Sequence, residues 1–168
     1  MTFRKARLQD VDSIMALVSQ RIDWMNLMGL HQWNDTDYFG RYPRSYWQEH
    51  IDSFLVGEDD ERIVVAIALY KEDVRWTSDG EYTGSAKAED EEAFYLHHLV
   101  TDPSFKGVGA AMMQFVERYA RENGVKILRL DSAVGNQALE WYYNRLGYTA
   151  CGTCHDQLYH GILREKIL

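Results

Sequence analysis

The stretch PSFKGVGAAMMQF, residues 103–115, constrains this chain more than any other. It follows a strand-like run, AFYLHHLV, and sets Gly107 and Gly109 one residue apart at the start of an amphipathic segment. In that segment Val108, Ala111, Met112, Phe115, Val116 and Tyr119 share one helical face. The amides of a helix's first turn have no partner within the helix, and the dipole there favours negative charge. Side-chain-free positions let those amides close on an anion. A phosphate-bearing ligand is the expectation.

The flanking pattern places the stretch in a fold. TFRKARL reads as a first strand, and Asp10 as the cap of a helix with Val11, Ile14, Met15, Val18, Ile22 and Met25 on one face, closed by Gly29. Pro43 opens a short helix, RSYWQEHI. SFLVG and RIVVAIALY form a hairpin across the charged turn EDDE. Residues 71–92 are polar, without period, and read as a long loop. After the strand at 93–100 and the helix ending at Asn123-Gly124 come a strand, VKILRLD, and a helix capped by Asn136 and ended by Gly147. The closing strands are YTACGTC and QLYHGILREKI. The order β-α-α-β-β-β-α-β-α-β-β predicts one α+β domain over residues 1–168, with a mostly antiparallel sheet and helices on its faces.

Composition removes several function classes. A net charge of −8 disfavours nucleic acid and is compatible with a cationic substrate. No apolar run is long enough to span a membrane, and MTFRKARLQD has no apolar core of a secretion signal, so a cytoplasmic protein is expected. Cys151 and Cys154, in CGTCH, match a haem-attachment spacing and a redox-pair spacing. They fall in a strand-like stretch rather than at a helix start, so a structural role is expected, and no metal.

Two protein classes put a glycine pair at a helix start after a strand. The dinucleotide-binding fold needs a third glycine or alanine where Met112 stands, and needs the glycines directly after the strand; here DPSFK intervenes, although Asp131 supplies the acidic residue. The other is the GNAT superfamily of acetyl-CoA-dependent N-acetyltransferases, which this chain resembles. Its pyrophosphate loop, Arg/Gln-x-x-Gly-x-Gly/Ala, is similar to KGVGAA, residues 106–111. Lys106 stands where the family mostly has arginine or glutamine, keeping the charge and losing the fork. NQALEWYYNRLGY resembles the family's second block through Asn136, Tyr143, Gly147 and Tyr148, with Leu139 and Tyr142 departing from it.

The resemblance implies a GNAT fold of about seven strands, splayed between the fourth and fifth. It implies acetyl-CoA as co-substrate, its pantetheine bonded to the backbone of Leu99, Val100 and Thr101 and its diphosphate to Lys106, Gly107, Val108, Gly109, Ala110 and Ala111, with Asn136 and Tyr143 also at the cofactor. By position, the Leu99 N–H polarises the thioester carbonyl and Tyr143 protonates the departing thiolate; a plain core aromatic is the other reading of Tyr143. His97, taken to share a strand face with Leu99 and Tyr95, has the chemistry of a base near neutral pH, with water as the alternative. The acceptor, expected to be a small primary amine, falls to Trp24, Trp33, Tyr38 and Tyr95 and the loop 71–92, with Asp35, Asp37 and Glu49 supplying charge. Most aromatics of 24–47, Tyr46 and Trp47 first, also read as core. A peptide or protein amine, a non-catalytic acyl-CoA sensor and a homodimer all stay open.

Overall fold

Asp60 and Glu61 both lie at positive φ, 46° and 64°. Two left-handed residues in succession make the tight turn whose twist matches paired strands. The turn joins β2 (Phe54–Asp59) to β3 (Arg62–Tyr70), antiparallel, with Phe54 opposite Ala68 and Asp59 opposite Arg62. This is the hairpin expected across the charged turn. The computed structural model describes residues 1–76, 92–155 and 159–168.

In chain order the remaining elements are β1 (Thr2–Lys5), α1 (Val11–Leu27), α2 (Tyr38–Arg41) and α3 (Arg44–Glu49) before the hairpin. After it come β4 (Ala93–Thr101), α4 (Val108–Glu122), β5 (Ile127–Ala133), α5 (Gln137–Arg145), β6 (Thr149–His155) and β7 (His160–Ile167). The seven strands are ordered β1-β2-β3-β4-β5-β7-β6, and only β4 and β5 run parallel. The mixed, mostly antiparallel α+β sheet read from the sequence is the sheet observed. No helix among the described residues is long and apolar enough to cross a membrane.

The chain divides into two compact units. The first comprises Met1–Leu69 and His98–Phe115. Ile14 and Val18 of α1, Phe54 and Val56 of β2, Val64 and Ile67 of β3, and Met112 of α4 are all without exposed surface there. Leu17 joins the buried side of α1. Asp10 does not cap α1 with its side chain. Its carboxylate instead takes two bonds from Arg4, 2.7 and 3.1 Å, and one from the Arg7 N–H at 2.7 Å. An arginine on β1 offers the acid a stronger, charge-assisted partner than a helix amide does.

The second unit comprises Tyr70–His97 and Val116–Leu168. β5 pairs antiparallel with β7 from Ile127↔Ile167 to Ala133↔Gly161, and β7 with β6. Ile127 and Leu163 pack with Trp76, Tyr95, Cys151 and Cys154. Arg129 is fully buried among them. Its charge is met by Glu165 (Nε to Oε2, 2.9 Å), the Tyr95 hydroxyl (2.9 Å) and the face of Trp76, 5.0 Å from the guanidinium. A buried cation is tolerated only with such partners.

The parallel pair is short. Ala93, Phe94 and Tyr95 face Ile127, Leu128 and Arg129, and pairing goes no further. Both strands continue beyond it, β5 still bonded to β7. The two strands part at this point, as the splay expected between the fourth and fifth strands requires.

Candidate active site

The glycine stretch is held from beneath by a residue outside the motif. Asp102 directly follows β4 and has no exposed surface. Its N–H donates to the Val64 carbonyl at 2.8 Å. Its carboxylate accepts from the Ser104 N–H (2.8 Å), the Ser104 hydroxyl (2.6 Å) and Arg62. Burial alone would push this acid upward; the Ser104 bonds and Arg62 outweigh it and hold the group below the usual carboxylate range. The ordinary-looking TDPS before the glycines thus fixes where the loop starts.

Gly107 lies at φ 80°, a conformation that favours glycine, and its carbonyl accepts the first helical bond, from Ala111 N–H at 3.1 Å. Gly107 therefore caps α4, and Val108, Gly109 and Ala110 carry the first-turn amides that a helix cannot satisfy itself. Val108 is buried and anchors the turn. Gly109, Ala110 and Ala111 are half-buried, and Lys106 is exposed. A small, positively polarised surface results.

β4 is not a plain strand. His98 sits at φ 54°. A left-handed residue in a strand breaks the alternation of faces, as a bulge does. The alternation expected to put His97 on one face with Leu99 is broken at this residue, whereas that of Tyr95 with His97, both before it, is not. At the end of β4, Arg21 donates to the Thr101 carbonyl (Nε, 3.0 Å) and to its hydroxyl. That carbonyl is committed within the fold.

His97 belongs to the second unit. Its Nε2 lies 2.8 Å from Asp73 Oδ2, and Asp73 Oδ1 accepts from the Arg75 N–H at 2.9 Å. Arg75 reaches Asp131 at 3.2 Å. Burial raises Asp73, but the His97 bond and Arg75 outweigh it and hold the acid below the usual carboxylate range. Asp73, His97 and Asp131 bring one donor atom each within 4.8 Å of one another, which is close enough for a metal ion. Arg75 already supplies positive charge to Asp131, and the group reads as a hydrogen-bonded charge network.

Tyr143 is 9% exposed on α5, whose start is capped by Asn136 accepting from the Leu139 N–H at 3.1 Å. Burial, with Tyr142 and Asp131 adding to it and Arg164 opposing, pushes the Tyr143 hydroxyl above its ordinary value. It holds its proton throughout the neutral range. A fall in rate from ionisation of this hydroxyl near the unperturbed tyrosine value of about 10 is therefore not expected.

The aromatic-rich segment is largely spoken for. Tyr38 is 7% and Trp47 1% exposed. Trp33 is half-buried and stacks on Tyr38 with centroids 5.0 Å apart; Trp24 is half-buried beneath the Arg21 guanidinium at 4.8 Å. Tyr95 is interior, bonded to Arg129. Asp37 caps α2 through the Gly40 N–H at 2.9 Å, and Asp35 lies 2.8 Å from His31 Nδ1. Residues 77–91, most of the loop expected to border the acceptor, lie outside the described residues. Cys151 and Cys154 are buried on β6, and burial pushes their thiols up to about 11 and about 12. Thiols raised in this way carry little of the reactive thiolate at neutral pH.

A seven-stranded sheet that parts between β4 and β5, with a glycine-capped helix after β4, defines the GNAT class of fold. The sequence model of the acetyltransferase (GNAT) family matches residues 22–148, and the chain belongs to that family. The uncharacterized N-acetyltransferase YesJ of Bacillus subtilis is 26% identical over 155 residues, covering 86% of this chain and 79% of that one. An acetyltransferase of the GNAT family from Listeria monocytogenes has the same fold at a TM-score of 0.75 and 23% identity, with 99% and 94% of the two chains covered. The PaiA N-acetyltransferase from Thermoplasma acidophilum, solved in complex with coenzyme A, gives 0.71 at 16% identity, with 99% and 98% covered.

Proposed function

We propose that this protein is an acetyl-CoA-dependent N-acetyltransferase acting on a small primary amine, and that residues 1–168 work as one catalytic domain. The observation that carries the reading is the Gly107-capped start of α4, with its loop fixed by buried Asp102. The first-turn amides of Val108, Gly109 and Ala110 would hold the cofactor diphosphate, with Lys106 adding charge. Family membership and the coenzyme A held by the PaiA relative support that cofactor.

In the reaction the amine nitrogen attacks the thioester carbon, its proton leaves, and the carbon–sulfur bond breaks as the acetyl group moves to nitrogen. The Leu99 N–H would steady the oxygen as it gains charge; one such donor contributes roughly 3 kcal/mol in other acyl-transfer enzymes. Val100 would pair with pantetheine by strand addition. Tyr143 would give a hydrogen bond, then its proton, to the departing sulfur. Its raised pKa keeps the hydroxyl protonated, and so able to donate, at neutral pH. His97 would take the amine proton. Asp73, 2.8 Å from Nε2 and ionised, would steady the imidazolium that forms.

The chain's charge of −8 and the half-buried rings of Trp24 and Trp33 favour a cationic acceptor. The test is a thiol-release assay with acetyl-CoA against 1,4-diaminobutane, 2-phenylethylamine, glycinamide and an alanyl tripeptide. Turnover with the free amines is expected. Transfer to the tripeptide alone would move the acceptor to peptide N-termini, and binding of acetyl-CoA with no transfer to any amine would make the protein a sensor.

A further inference from the structure

Several aromatics of residues 38–47 gather around the imidazole of His98. Tyr38 Oη lies 2.6 Å from Nδ1 and Tyr46 Oη 3.0 Å from Nε2. The ring of Tyr42 stands edge-on at 4.7 Å, Trp47 is tilted at 5.3 Å, and Phe54 lies near-parallel at 6.1 Å. Trp47 is itself fixed by its Nε1 donating to the Tyr42 carbonyl at 2.8 Å. A neutral imidazole has one donor and one acceptor nitrogen, so one tyrosine accepts and the other donates. Both nitrogens are thereby committed, and the ring cannot turn.

The residue gripped in this way is the one at φ 54° within β4. Residues with a Cβ are disfavoured there, and histidine is among the few that enter at all. Such strain persists only where the surroundings over-determine it. The peptide that follows His98 carries the Leu99 N–H, and the direction of that N–H is set by the backbone angles of residue 98.

We infer that Tyr38 and Tyr46 are positioning residues for acyl transfer: by clamping His98 in the left-handed conformation they fix where the Leu99 N–H points. The inference rests on the Leu99 reading given above. It also assigns the two hydroxyls to His98 rather than to the acceptor amine.

The test compares the wild type, Tyr46→Phe, the double variant Tyr38→Phe/Tyr46→Phe, and that double variant with His98→Gly added. The readouts are turnover at saturating acetyl-CoA with the best amine of the panel, KM for acetyl-CoA, the melting temperature, and the HN–Hα coupling of residue 98, which reports φ. Removing both hydroxyls should let residue 98 leave positive φ and lower turnover roughly 10-fold or more, short of the ~10²-fold of a lost donor, with KM little changed. Glycine enters positive φ without steric cost, so adding His98→Gly should recover part of the turnover while lowering the melting temperature. A purely structural clamp predicts the reverse, a triple variant slower than the double. If the double variant does not fold, Tyr46→Phe carries the test, with a smaller fall in the same direction expected. Residue 98 staying at positive φ without the hydroxyls overturns the clamp. Residue 98 leaving positive φ with turnover unchanged overturns the Leu99 reading instead.

Discussion

Asp102→Asn removes one charge and almost no volume from beneath the proposed phosphate loop. The aspartate accepts two bonds from Ser104, at 2.8 and 2.6 Å, and pairs with Arg62. A hydrogen bond to a charged group contributes about 1.5–3 kcal/mol and one to a neutral group about 0.5–1.5, so the two Ser104 bonds together lose about 2 kcal/mol. Arg62 is 58% exposed, so its pair with Asp102 adds only about 0.5 kcal/mol. The sum, about 2–3 kcal/mol, corresponds to a fall in Tm of roughly 4–12 °C for a chain of this size. Thermal melts from pH 3 to pH 8 measure it. Asp102 is held below its unfolded value, so its contribution is complete above about pH 4 and lost as pH falls through the folded value. The gap between variant and wild type should therefore close in acid. Acetyl-CoA should also protect the variant less, because the loop it grips is no longer fixed. A Tm within 1 °C of wild type at pH 7, or a gap that does not change with pH, would refute the account of Asp102 as an ionised brace.

Gly109→Val should weaken acetyl-CoA binding sharply by isothermal titration, with the fold intact by circular dichroism; Lys106→Ala should weaken it less, and less again at high salt. Tyr143→Phe should cut turnover by roughly 10²-fold with acetyl-CoA affinity nearly unchanged, and the wild-type pH–rate profile should show no fall near pH 10, since burial raises the hydroxyl above that value. The low-pH limb of that profile should vanish in His97→Ala, and Asp73→Asn should slow the wild type but not the His97→Ala variant; a limb that survives His97→Ala assigns the proton to water. Iodoacetamide should leave Cys151 and Cys154 unmodified at pH 7 in the native protein and label both in urea, as thiols raised to about 11 and about 12 require.

Local chemistry alone determined a good part of this protein. The spacing of Gly107 and Gly109 before an apolar helical face placed the α4 cap, because only backbone geometry and side-chain absence are involved. Alternation and turn residues gave the β2–β3 hairpin, and Asn136 gave the α5 cap, since each depends on neighbours within a few positions. The short helix at Tyr38–Arg41 and the single turns at Leu8–Asp10, Trp33–Asp35, Ile51–Ser53 and Val74–Trp76 were not legible, because such pieces lack a full period. Nor were the relations that span long stretches of chain. Residues 38 and 98 are sixty positions apart, yet Tyr38 grips His98; Asp73 meets His97 across 24. Strand alternation put His97 and Leu99 on one face, and the left-handed His98, held from outside its own strand, undid that. Asp102 looks like a loop residue in sequence and is a buried brace in the fold. A pattern within one element fixes what that element is, whereas which charges and rings its side chains meet is decided only when distant segments pack together.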